Sequence, residues 1–202
     1  MLVPQDLLDP AGNTFYDAAM SSPELLGVSA LALLVSALLT VPAICGILHQ
    51  ARDCGAMLAH LGALFTLLGA MGHMGLASIG LITRSLAGGD PAQMRAFEER
   101  LNADPALAIP FVLLTSFGIG TTLLAFAAWR AGLIGWWGPA IVTAVVVAHT
   151  VLPDGQPPVI TLTALTLIAI VFGRLGIRTL ALSDNDWAQP KPSDRSPVTT
   201  SP

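Results

Sequence analysis

The chain has 202 residues, 53% of them hydrophobic and only 11% charged, with a mean hydropathy of +0.70 and a formal net charge of -4 at pH 7. About a quarter of the residues of a typical soluble domain are charged, so water is the wrong solvent for most of this sequence. The negative balance leaves no basic stripe to meet a phosphate backbone, which argues against nucleic acid as a partner.

Residues 1–24 hold Asp6, Asp9, Asp17 and Glu24 and no Lys or Arg. A secretory signal needs a basic start, so this stretch reads instead as an acidic extracytoplasmic segment kept in the mature protein. Five apolar runs follow: Leu25 to Leu48, Ala56 to Thr83, Ala106 to Trp129, Leu133 to Leu152, and Val159 to about Ile177. Each is close to the roughly 20 residues that a helix needs to cross the hydrocarbon layer. The second is long enough to tilt, and Gly135, Gly138 and Pro139 weaken the start of the fourth. The expected fold is all-α, a polytopic transmembrane bundle of about five spans occupying 25–182.

Basic residues near span ends resist translocation and set the orientation. With the N-terminus outside, the inner side collects Arg52, Arg130, Arg174, Arg178, Lys191 and Arg195, against Arg84, Arg95 and Arg100 outside. That distribution favours N-out and C-in. Trp129, Trp136 and Trp137 gather at one interface, as an aromatic belt would.

Ser22-Pro23, Asp90-Pro91 and Asp104-Pro105 read as helix starts, with a capping side chain followed by proline in the first helical position. After Asp90, Gln93 supplies a capping-box variant, and Met94, Phe97 and Leu101 recur at helical spacing. They predict a short amphipathic helix at 91–102 along the outer surface, with an Arg95 to Glu99 pair on its solvated side. From Ser183 the sequence turns rich in Pro, Ser, Thr and Asp, and 183–202 reads as a disordered cytoplasmic tail. No internal repeat of the kind found in inverted-repeat transporters is evident.

In lipid the hydrophobic effect cannot drive helices together, so small residues at helical spacing mark expected interfaces. The second run offers Ala59, Gly62, Thr66, Gly69, His73, Ala77 and Gly80, and the third Thr115, Gly118, Thr122 and Ala125. The fifth offers Thr163, Thr166, Ala169, Gly173 and Gly176. In the first, Ser29, Ala32, Ser36, Thr40 and Ala43 form a stripe, and Pro42 is expected to kink the helix by removing the bond to the Leu38 carbonyl.

No Asp or Glu falls inside a predicted span, which counts against a proton relay or a cation-coupled transporter. Arg174 is the one basic group at membrane depth and is expected to snorkel inward, and the lack of an intramembrane Lys excludes a retinal Schiff base. Histidine remains. His73 in the second run and His149 in the fourth lie at similar depth, so they are candidate ligands for a haem or transition metal. A second cluster, Cys45, His49, Cys54 and His60, sits at the inner end of the first hairpin. Thiolate with imidazole suits zinc or copper, although this spacing matches no zinc framework. The two cysteines provide no disulfide framework.

His60 and His73 stand about 220° apart around a helix, which excludes a diheme arrangement on one face. The segment around Ser78 lacks the first glycine of G-x-S-x-G, and no acid is placed to orient His149 as a catalytic base. No catalytic residue is therefore assigned.

The run Trp129-Arg130-Ala131-Gly132-Leu133-Ile134-Gly135-Trp136 joins two apolar runs through a very short Arg-x-Gly-Leu turn before a tryptophan. In this, and in hydropathy over residues 25–180, the chain resembles small multi-pass membrane proteins of unknown function common in high-GC bacteria. The resemblance implies a bacterial inner-membrane location and carries no catalytic residues. The leading expectation is a non-enzymatic accessory subunit or small-ligand binding scaffold, in contact with the lipid bilayer and with other membrane subunits or copies of itself. The alternatives are a haem- or metal-binding redox protein and an oligomeric pore or transporter.

Overall fold

A computed structural model describes residues 22–86, 88–151, 158–183 and 187. Among them all regular structure is helical. The elements are α1 (Pro23–Ala51), α2 (Ala56–Leu86), α3 (Pro91–Ala103), a single 3-10 turn (Pro105–Leu107), α4 (Ala108–Arg130), α5 (Trp137–Val151) and α6 (Pro158–Leu180). The acidic segment up to residue 21 lies outside the described residues, as does most of the tail.

The proline-marked starts hold. Pro23 opens α1, although the Ser22 side chain makes no cap and the Leu26 N–H bonds the Ser22 carbonyl instead, at 3.1 Å. Asp90 and Asp104 do cap, their Oδ1 atoms accepting from the N–H groups of Ala92 at 3.0 Å and Ala106 at 2.9 Å. The expected amphipathic helix is α3, which buries Met94. The Arg95 to Glu99 pair is not formed; among the described residues the one ion pair joins Arg52 to Asp53 at 3.6 Å.

Among the described residues three helices are long and apolar enough to cross a membrane, not five: α1 with 29 residues, α2 with 31 and α4 with 23. Among the described residues the fourth apolar run yields the 15 residues of α5. At 1.5 Å per residue that is about 22 Å, short of a hydrocarbon core of about 30 Å. The residues missing from its start close a Schellman motif after α4. Leu133 N–H donates to the Ala128 carbonyl and Gly132 N–H to the Trp129 carbonyl, both at 2.9 Å, while Gly132 takes φ 73°, a left-handed conformation that glycine adopts without a Cβ penalty. The fifth run forms the 23-residue α6, with Arg174 and Arg178 in its last two turns.

The antiparallel seam between α2 and α4 is the closest in the molecule. An added Cβ on Gly62 would stand 2.9 Å from the Leu124 nitrogen, and on Gly72 it would stand 2.7 Å from the Pro110 carbonyl oxygen. Gly120 faces the Thr66 backbone just as tightly. Such approach brings dispersion contacts along two backbones, which is how helices associate where no hydrophobic drive exists. The expected α2 stripe is therefore the packed one: Ala59, Gly62, Thr66, Gly69, Ala77 and Gly80 are buried and His73 is half-buried.

The other stripes are corrected. On α1, Ser29 is buried and Thr40 half-buried, but Ala32, Ser36 and Ala43 are exposed, and the buried face also carries Leu26, Ala30, Ala37, Ile44 and Ile47. On α4, Gly120, Leu124 and Ala127 meet α2, whereas Gly118 turns to Val146 of α5. On α6, Thr163, Thr166, Ala169, Gly173 and Gly176 are all exposed, and Val171 and Leu175 are buried instead. Leucine, isoleucine and valine side chains share these seams with the small residues.

Hydroxyls in the spans return their protons to their own helix. Thr66 donates to the Gly62 carbonyl at 2.7 Å, Thr121 to that of Phe117 at 2.8 Å, and Thr143 to that of Pro139 at 2.7 Å. A polar group without water must bond inside the protein, and one helical turn back is the nearest acceptor. The five apolar helices α1, α2, α4, α5 and α6 converge at the end that holds the 52–55 connection and the 131–136 turn, here termed the turn end. Ile47, Ala63, Leu124, Val142 and Val171 meet there in one core.

Candidate functional site

His73 is fixed by α2 at its seam with α4. Its Nδ1–H donates to the Gly69 carbonyl at 2.9 Å, and its ring meets the edge of Phe117 with centroids 4.7 Å apart. In the neutral ring this leaves Nε2 as the lone-pair atom. His149, in the last turn of α5, is exposed. Helices α2 and α5 share no substantial packing, so the two histidines belong to different seams.

The thiol and imidazole cluster does not converge either. Among the described residues no three His, Cys, Asp or Glu side chains stand together in a way that could hold a metal ion. Cys45 and Cys54 are exposed free thiols. His60 turns outward and donates from Nδ1 to the Ala56 carbonyl of its own helix at 2.6 Å. His49 is engaged by the tail: its Nε2–H donates to the Trp187 carbonyl at 2.8 Å, and the two rings lie 4.7 Å apart. Arg52 places Nη1 3.4 Å from the remaining ring nitrogen, Nδ1, which accepts.

What the fold gathers at the turn end is a pair of arginines on α6. Arg178 donates from Nη1 to the Leu133 carbonyl at 2.8 Å, a group that the Schellman turn leaves without a helical partner. Arg174 lies over the Trp137 indole, 5.7 Å from the ring centroid, a cation–π geometry. Both guanidinium groups belong to exposed residues, and among the described residues neither has a carboxylate partner.

Sequence reasoning missed Trp187 and the Arg178 contact. A lone tryptophan in an otherwise polar stretch was the available signal for the first. Nothing local marks the second, because it spans 45 residues.

Outward from the arginines, α5 and α6 part to leave an open groove of about 520 Å³ between Ile141, Ala144, Val145 and Ala148 on one side and Ala164 and Leu167 on the other. Its chemistry is that of apolar surface with cations at one end. No family model, curated protein or solved structure matches this chain, so the functional reading rests on these residues alone.

Proposed function

We propose that this chain is a non-enzymatic scaffold of the bacterial inner membrane that acts by associating with other membrane subunits. In this reading α1, α2 and α4 cross the bilayer, the α5–α6 hairpin lies against them in the same layer, and the turn end faces the cytoplasm with the N-terminus outside. The positive-inside balance supports that orientation, since Arg52, Arg130, Arg174 and Arg178 share the turn end.

One observation carries the association. The glycines of α2 and α4 face packed neighbours, yet a Cβ added to Gly173 or Gly176 of α6 would meet nothing within 4 Å. With Ala169 they form an exposed small-residue edge, the surface that membrane helices use for close approach. The test is purification in mild detergent of the native chain and of Gly173→Leu. A co-purifying subunit or dimer that is lost with Gly173→Leu, at unchanged thermal stability, supports the reading. A reproducible monomer that turns over a substrate would overturn it.

A second reading, haem or metal binding, draws on His73 alone. Its Nδ1–H bond fixes the ring and leaves Nε2 as a donor atom, which is how proteins orient ligating histidines. It requires a Soret band or a stoichiometric metal that disappears in His73→Ala.

A further inference from the structure

The geometry points to an anionic phospholipid site, with one acyl chain in the groove between α5 and α6 and the phosphate beside Arg174 and Arg178. The inference goes beyond subunit association and needs only that the hairpin lies in the bilayer.

The two helices run antiparallel in a single register. Arg178 meets Leu133, Arg174 covers Trp137, and further along the seam Ala144 and Ala148 share a groove with Leu167 and Thr163. Groove and arginines therefore lie on one line. At 1.5 Å per residue, the groove runs from about 6 Å (Ile141) to about 16 Å (Ala148) beyond the level of Trp137. One leaflet of hydrocarbon is about 15 Å deep, half of a 30 Å core. A lipid with its phosphate level with Trp137 thus places its chain along the groove's whole length.

The lining explains why the seam opens. Toward the turn end Val171 and Leu175 of α6 are buried. From Ile141 outward the lining includes the small Ala144, Ala148 and Ala164 beside Val145 and Leu167, leaving a slot suited to apolar matter, because Thr163 is the one polar residue along it. Water in that slot would lack partners.

Charge complementarity selects an anionic headgroup. The guanidinium groups of Arg174 and Arg178 lie on the turn-end side of the groove, in line with it, and each already holds one position: over an indole face for the first, against a carbonyl for the second. Neither contact neutralises the charge. Arginine presents five donors, so each retains N–H groups for phosphate oxygens. Trp136, 72% exposed in the turn, adds an amphipathic ring at headgroup level.

The experiment is native mass spectrometry and thermal unfolding of the full chain in detergent, with phosphatidylglycerol, phosphatidylcholine or inorganic phosphate added in turn. Phosphatidylglycerol is expected to be retained and stabilising. Retention should fall about fivefold in Arg174→Gln and again in Arg178→Gln, from the usual worth of one basic residue at an anionic surface. Ala144→Leu with Ala148→Leu, which fills the groove and leaves both arginines, should also reduce retention, whereas Arg95→Gln on α3 should not. Equal retention of phosphatidylcholine, equal stabilisation by inorganic phosphate, or unchanged binding in the groove-filling variant would each overturn the site. The same spectra separate lipid-bound protomers from protein complexes, so loss of this site and loss of subunit association are read independently.

Discussion

Gly69 of α2 lies directly against Phe117 of α4, so close that an added Cβ would stand 2.5 Å from the Phe117 backbone nitrogen. No rotamer change can relieve such a contact, because the obstacle is main chain. Gly69→Ala should therefore push the two helices apart and cost about 1–3 kcal/mol, the usual range for overpacking. Gly173→Ala, where the added methyl meets nothing, should be neutral or stabilising by up to about 1 kcal/mol through helix propensity. Unfolding of both variants in mixed detergent micelles measures the difference; equal stabilities would refute the seam.

Gly132 sits at φ 73° in the turn after α4. Open space surrounds it, so Gly132→Ala tests backbone conformation without a steric clash. The left-handed region costs an L-residue about 1–2 kcal/mol, and the variant should lose that amount of stability. A smaller loss would mean that the turn can be rebuilt without the left-handed residue.

Trp187 reaches His49 from the chain's C-terminal side by one hydrogen bond and one ring contact. A double-mutant cycle of His49→Ala and Trp187→Ala should show a coupling of about 0.5–1.5 kcal/mol, the range for an aromatic pair. Strict additivity would show that the tail residue does not dock there in solution.

Gln50 carries the single buried side-chain nitrogen that lacks a hydrogen-bond partner among the described residues. An unmet buried donor costs about 1–3 kcal/mol, so Gln50→Met, similar in shape and without the amide, should hold or raise the unfolding temperature. A clear drop would reveal a partner for the amide.

How much of this was legible varies by helix. The α2 stripe could be read because glycines recur along one face of it, and glycine has one structural use in a membrane helix, close approach. The α1 stripe misled, since Ala32, Ser36 and Ala43 are small but exposed, while Ile44 and Ile47 fill the contact. The candidate ligands were drawn from residue type and depth, neither of which reports the direction a side chain faces. His60 and His149 face outward, and His49 is engaged by Trp187 from 138 residues away.

Composition and run length by themselves determined that the chain is helical, that its long segments suit lipid, and where prolines and capping acids begin its helices. These are local matters, set by the hydrogen bonds a peptide must satisfy within its own segment when water is absent. The tertiary structure alone decided which face of each helix is covered, that α5 begins late after a Schellman turn, and that Arg174 and Arg178 stand together on the turn-end side of one groove. In a helix that is apolar all round, hydrophobicity does not distinguish one face from another, so pairing is chosen by the fit of two backbones, and that fit exists only when both are present.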